Sequence, residues 1–93
     1  MYPLFNITSS SKTVLVYEGW NVQQTTYRVN HKICCYIEEY KDKWRVGLGK
    51  PTDNRTECWY YPKTTQGKTG ADKQIQDIIQ KTISKYKRQQ SSI

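Results

Sequence analysis

Ninety-three residues carrying a net charge of +7 leave room for one domain and one core. Only seventeen are Leu, Ile, Val or Phe, few for a folded chain, but eight Tyr and three Trp add large apolar area, so a small, aromatic core is expected. Composition excludes a helix-spanning membrane protein, since no run approaches the roughly 18 apolar residues a spanning helix needs.

The charge is uneven. From Lys63 onward seven Lys or Arg face only Asp72 and Asp77, whereas the first ten residues carry no charged side chain. A basic end on a small domain points to an anionic partner or to solubility alone. Met1–Phe5 has neither a basic lead nor an apolar run of signal-peptide length. Three cysteines, two of them adjacent, make a poor disulfide framework. An intracellular, reduced protein without a signal peptide is therefore expected, and the sequons at Asn6 and Asn54 are read as chance.

In chain order, residues 1–12 read as an N-terminal lead-in, with Leu4 and Phe5 able to dock on the core. Thr13–Glu18 is a branched and aromatic strand, Gly19–Asn21 a turn, and Thr25–Val29 a second strand. After a turn at Asn30-His31, Lys32–Lys50 has the pattern of a β-hairpin. Ile33, Cys35 and Ile37 alternate on one arm and Trp44, Val46 and Leu48 on the other, with Tyr40–Lys43 as the turn. Alternation sends those six to a core face and leaves Tyr36, Glu38, Arg45 and Gly47 on an open one. It also sends the adjacent Cys34 and Cys35 to opposite faces. Pro51–Asn54 is turn chemistry, and Glu57–Tyr61 a short strand ended by Pro62.

Lys63–Lys68 reads as a polar, basic loop. A helix follows, with Thr69 as N-cap and Asp72 against its positive end. Ile75, Ile78, Ile79, Ile83 and Tyr86 form one apolar stripe. Lys85, Lys87 and Arg88 close the helix, and residues 89–93 read as a frayed tail. The predicted domain is α+β over residues 13–88, with a four- or five-stranded antiparallel sheet packed against one C-terminal helix. In element order alone, a small antiparallel sheet followed by a helix resembles the arm-binding domains of tyrosine recombinases and the Whirly-like single-strand binders. That resemblance implies nucleic-acid binding, and it transfers no residue motif.

Four constellations carry chemistry. Aromatic rings among cations suit nucleic acid, with bases stacking and phosphates pairing. On that reading Lys43, Arg45, Lys63 and Lys68 contact phosphate, Lys85, Lys87 and Arg88 add attraction, and Tyr36 stacks. The competing reading makes the Tyr and Trp residues core filler, and it is preferred for Trp44 and for one of Trp59 or Tyr60. Pro62–Thr69 mimics the end of a phosphate-binding loop, G-x-x-x-x-G-K-[ST], but Pro62 stands where the first glycine belongs. Glu39-Tyr40-Lys41 matches half of a metal-dependent nuclease site, with Glu18 as the only further acid upstream. Cys34, Cys35, Cys58 and His31 lack zinc-site spacing. The expectation is a non-enzymatic nucleic-acid-binding protein without metal or cofactor, with DNA favoured over RNA and a homodimer allowed. The alternative is a protein-binding module or inhibitor, of viral or mobile-element type, acting through an aromatic surface or an edge strand.

Overall fold

Five strands run as an antiparallel meander and one helix follows. The strands are β1 (Ile7–Val16), β2 (Trp20–Val29), β3 (Lys32–Glu39), β4 (Lys43–Leu48) and β5 (Cys58–Pro62), and the helix is α1 (Thr65–Ser91). They belong to a computed structural model that describes residues 5–16, 20–51 and 57–91. The sheet order is β1-β2-β3-β4-β5, so every neighbour in space is a neighbour in sequence. The chain is thus α+β, a five-stranded antiparallel sheet against one C-terminal helix, as its alternation and its isoleucine stripe predict.

The β3–β4 hairpin pairs Glu39 with Trp44 and Cys35 with Leu48, and the Tyr40 N–H donates to the Lys43 carbonyl at 2.9 Å to close the turn. Between β2 and β3, Asn30 and His31 both have positive φ, 52° and 73°. That is the two-residue turn whose twist matches the flanking strands. Asn30 also ties down the chain before β1, since the Asn6 N–H donates to its Oδ1 and its own N–H donates to the Asn6 carbonyl.

β1 begins at Ile7 rather than at Thr13, and β2 at Trp20 rather than at Thr25. The serines that read as loop are strand residues because β2 supplies partners: Ser11 bonds Thr25 through its hydroxyl at 2.8 Å, Arg28 donates to Ser10, and Thr13 donates to Gln23. The turn proposed at Gly19–Asn21 resolves into Trp20 and Asn21 on β2, with Gly19 outside the described residues. Leu4, Glu18, the 52–56 segment with its sequon, and residues 92–93 also lie outside them.

One irregularity reorganises β3. Tyr27 pairs with Cys35 but Arg28 pairs with Ile33, so Cys34 is an extra residue in the ladder. The bulge moves Ile33 off the core face and onto the face of Arg28. It also overturns the expectation for Cys34 and Cys35. Both thiols are buried in the helix-side core, with their sulfurs 3.8 Å apart.

The helix starts earlier than Thr69. Thr64 is its cap, accepting from the Gly67 N–H at 3.0 Å, whereas the Thr69 hydroxyl donates to the Thr65 carbonyl inside the helix. No acid lies in the first turn, and Asp72 pairs with Lys68 instead. A Cβ on Gly67 would strike the Pro62 carbonyl, and one on Gly70 would press the Tyr61 ring at 3.0 Å. Gly67, Gly70 and the buried Ala71 let this end of the helix seat against β5.

α1 lies over β3, β4 and β5 and only grazes β2. Ala71, Ile75, Ile78 and Ile79 pack on Val29, Cys35, Ile37 and Val46, flanked by Trp44, Trp59, Tyr61, Ile83 and Tyr86. Each fully buried isoleucine contributes about 1.5–3 kcal/mol. Phe5 stacks on Tyr86 with ring centroids 6.1 Å apart, so the lead-in does dock on the core.

Candidate functional site

The sheet face turned away from the helix carries Gln24, Thr26, Arg28, Tyr36, Glu38, Arg45 and Gly47, by register and alternation. This face is not open. Tyr36 is 1% exposed, and Gln24, Thr26 and Glu38 are buried with it. A cleft on this side is lined by Ser10 and Lys12 of β1 and also by Lys50 and Pro51 beyond β4. The segment after β4 turns back beside β3, where the Gly49 N–H donates to the Cys34 carbonyl at 2.8 Å, and so reaches the same cleft.

The buried residues of this face form a small polar core. The Tyr36 ring lies across Gly47, where any Cβ would collide with it, and the Arg45 guanidinium sits 5.9 Å above the ring. Arg45 Nη1 donates to Glu38 Oε1 at 2.9 Å, Tyr40 Oη donates to the same oxygen, and Gln24 Nε2 donates to Glu38 Oε2 at 3.0 Å. The buried carboxylate is therefore satisfied on both oxygens, as a buried charge must be. Burial works against the Arg45 charge, but contacts with Cys58, Tyr36 and Glu38 outweigh it and raise its pKa. In return Arg45, with help from Tyr60, lowers the pKa of the half-buried Cys58 thiol, whose sulfur lies 3.8 Å from Tyr60 Oη.

This arrangement relocates the residues expected to bind. Tyr36 is enclosed and has no ring face to offer a base. Arg45 is held by Glu38. Lys63 pairs with Glu39 at 3.0 Å and lies 4.8 Å over the Trp44 ring, and Lys68 pairs with Asp72 at 3.1 Å and lies 5.7 Å over the same ring. Lys43 sits over both Tyr40 and Tyr60. Lys85, Lys87 and Arg88 are exposed on α1. The phosphate-loop mimic has no loop, because Gly67 and Lys68 are inside the helix. Glu39 spends its carboxylate on Lys63, and the described residues hold no cluster of three metal-ligating side chains.

The cleft brings together three cations that the sequence reading passed over: Lys12, Arg28 and Lys50. Its volume is about 420 Å³, Ser10, Thr26 and Gln24 supply further polar groups, and none of the described residues that line it is acidic. Among the described residues, neither Lys12 nor Lys50 has a carboxylate partner, and Arg28 donates to the neutral Ser10 hydroxyl at 2.9 Å. A signal did exist. Lys12 and Arg28 are the only charges in β1 and β2, and alternation places them on one face once β1 is extended back to Ile7.

No family model, no curated protein and no solved structure matches this chain.

Proposed function

We propose that this protein binds nucleic acid without catalysing a reaction, and that the cleft grips the phosphate backbone. The observation that carries this reading is the cleft in which Lys12, Arg28 and Lys50 surround about 420 Å³ beside serine, threonine and glutamine side chains, with no acid among the described residues that line it. Lys and Arg with hydroxyl and amide neighbours are what phosphate oxygens use, and clustered cations of one sign attract a polyanion at a distance. The cations held by carboxylates, Arg45, Lys63 and Lys68, are the weaker contributors, because an anion has to compete with Glu38, Glu39 and Asp72 for them. Lys85, Lys87 and Arg88 extend the positive surface along the helix.

The test is fluorescence anisotropy with labelled single-stranded and duplex oligonucleotides over a range of salt. Replacing Lys12, Arg28 and Lys50 together by alanine should weaken binding about tenfold or more, and should flatten the slope of log K against log salt by about 2 to 3. An unchanged slope would remove the cleft from the interface.

A second reading, a protein-binding module, draws on a different feature. β1 is a ten-residue edge strand that, among the described residues, is paired on one side only, and Ile7 on it is 47% exposed. Such an edge accepts a further strand from a partner or a second copy. Binding of that kind depends only weakly on salt, so the same titration separates the two readings.

A further inference from the structure

On the helix side of the sheet, at the far end of β4, a second depression of about 270 Å³ lies between α1 and β5. Its floor is apolar. Trp59 is half-buried, Ile78 comes from the helix, and Leu48 is 37% exposed, unusual for a large apolar side chain in this protein. Its rim is cationic. Lys81 and Lys85 stand one turn apart on α1, both line the groove, and neither has an ion-pair partner among the described residues. Two like charges at that spacing disfavour a helix slightly, and an anion between them reverses the sign. Among the described residues that line the groove, one acid, Glu57, stands opposite. The complement of an indole floor with two lysines on the rim is a flat, largely apolar body joined to an anionic group. A nucleotide has that form, its base against Trp59 and Leu48 and its phosphate between Lys81 and Lys85.

The groove and the cleft lie on opposite faces of the sheet but close together along the chain. Leu48, the last residue of β4, lines one, and Lys50, two residues on, lines the other. A duplex, stiff over about 150 base pairs, does not turn around the end of one strand. An unpaired chain does. We infer that the groove between α1 and β5 seats an unpaired base with its phosphate, and that the ligand is a single strand running from the cleft around the end of β4 into this groove. The inference rests on the nucleic-acid reading above and specifies its strand form.

The experiment compares a short labelled oligothymidylate, an abasic strand of the same length and a duplex, all binding the full chain. The wild-type protein should prefer the base-bearing strand over the abasic one by about five- to a hundredfold, the range of base–aromatic stacking. It should also prefer the single strand to the duplex. Trp59→Leu should erase most of the preference for bases while leaving abasic binding unchanged. Lys81→Ala with Lys85→Ala, both exposed and without threat to the fold, should weaken both single strands and reduce the salt slope by about 1.4. Equal binding of base-bearing and abasic strands, a duplex bound more tightly, or a double lysine variant that binds as the wild type would each overturn the inference. If loss of Lys12, Arg28 and Lys50 still weakens binding in those cases, the nucleic-acid reading stands without it. Absence of binding to all three probes at low salt would overturn both.

Discussion

At the scale of single residues, the face turned away from the helix shows what a missing side chain can do. Gly47 is the only residue that leaves room for the Tyr36 ring, which is fully enclosed. Gly47→Ala forces two buried groups into the same volume. Chemical denaturation should show a loss of about 1–3 kcal/mol, the usual cost of overpacking. Wild-type stability would place the ring elsewhere. The same neighbourhood tunes Cys58. Its thiol is held below its ordinary pKa chiefly by Arg45 and further by Tyr60, whereas Cys35 is pushed up by its bond to Cys34 and by burial. Since the thiolate is the reactive form, alkylation of Cys58 should rise with pH through a midpoint below that of free cysteine. Cys34 and Cys35 should be protected until the protein unfolds. Tyr60→Phe removes a group that favours the thiolate, so the midpoint should move up. A Cys58 midpoint at the free-cysteine value would contradict the geometry.

At the scale of elements, the helix is held by its stripe rather than by intrinsic preference, for it carries two glycines and an ion-paired surface. Ile79 is 2% exposed in the middle of that stripe. Ile79→Asp would bury an unpaired carboxylate in the apolar core cluster, and loss of the cooperative thermal transition is expected. A folded Ile79→Asp protein would deny the packing of helix on sheet. The β3 bulge belongs to this scale too. One extra residue, Cys34, turns two neighbouring thiols toward the same core and sends Ile33 to the other face. Alternation alone predicts the opposite, because it presumes an unbroken ladder.

For the molecule as a whole, charge is sorted more finely than its net value suggests. Three cations are paired with Glu38, Glu39 and Asp72, while the cleft collects three that have no carboxylate partner among the described residues. Replacing Lys63 and Lys68 by alanine removes two positive charges but also frees two carboxylates that they offset. Affinity for nucleic acid should then fall by less than about threefold, against about tenfold or more for the cleft triple, when both are titrated at the same salt. Equal losses would mean that net charge, rather than its placement, governs binding.

The sequence by itself determined the element order, the β3–β4 hairpin and its turn, the turn at Asn30-His31, and the isoleucine face of the helix. Each depends on periodicity or on local backbone preference, which neighbouring residues carry among themselves. The seating of Phe5 on the core was legible as well, from its apolar character beside a polar run. What only the tertiary structure decided depends on strands distant in sequence. The fold enclosed Tyr36 and Glu38, which alternation assigned to an open face. Pairing with β2 made strand residues of Ser9–Ser11. Acids brought from elsewhere took up Arg45, Lys63 and Lys68, and strand pairing together with the segment after β4 gathered Lys12, Arg28 and Lys50 around one cleft. Local pattern states which face of a strand a side chain takes, but whether that face meets water, a carboxylate or another strand is set by pairing and register, which belong to the assembled sheet.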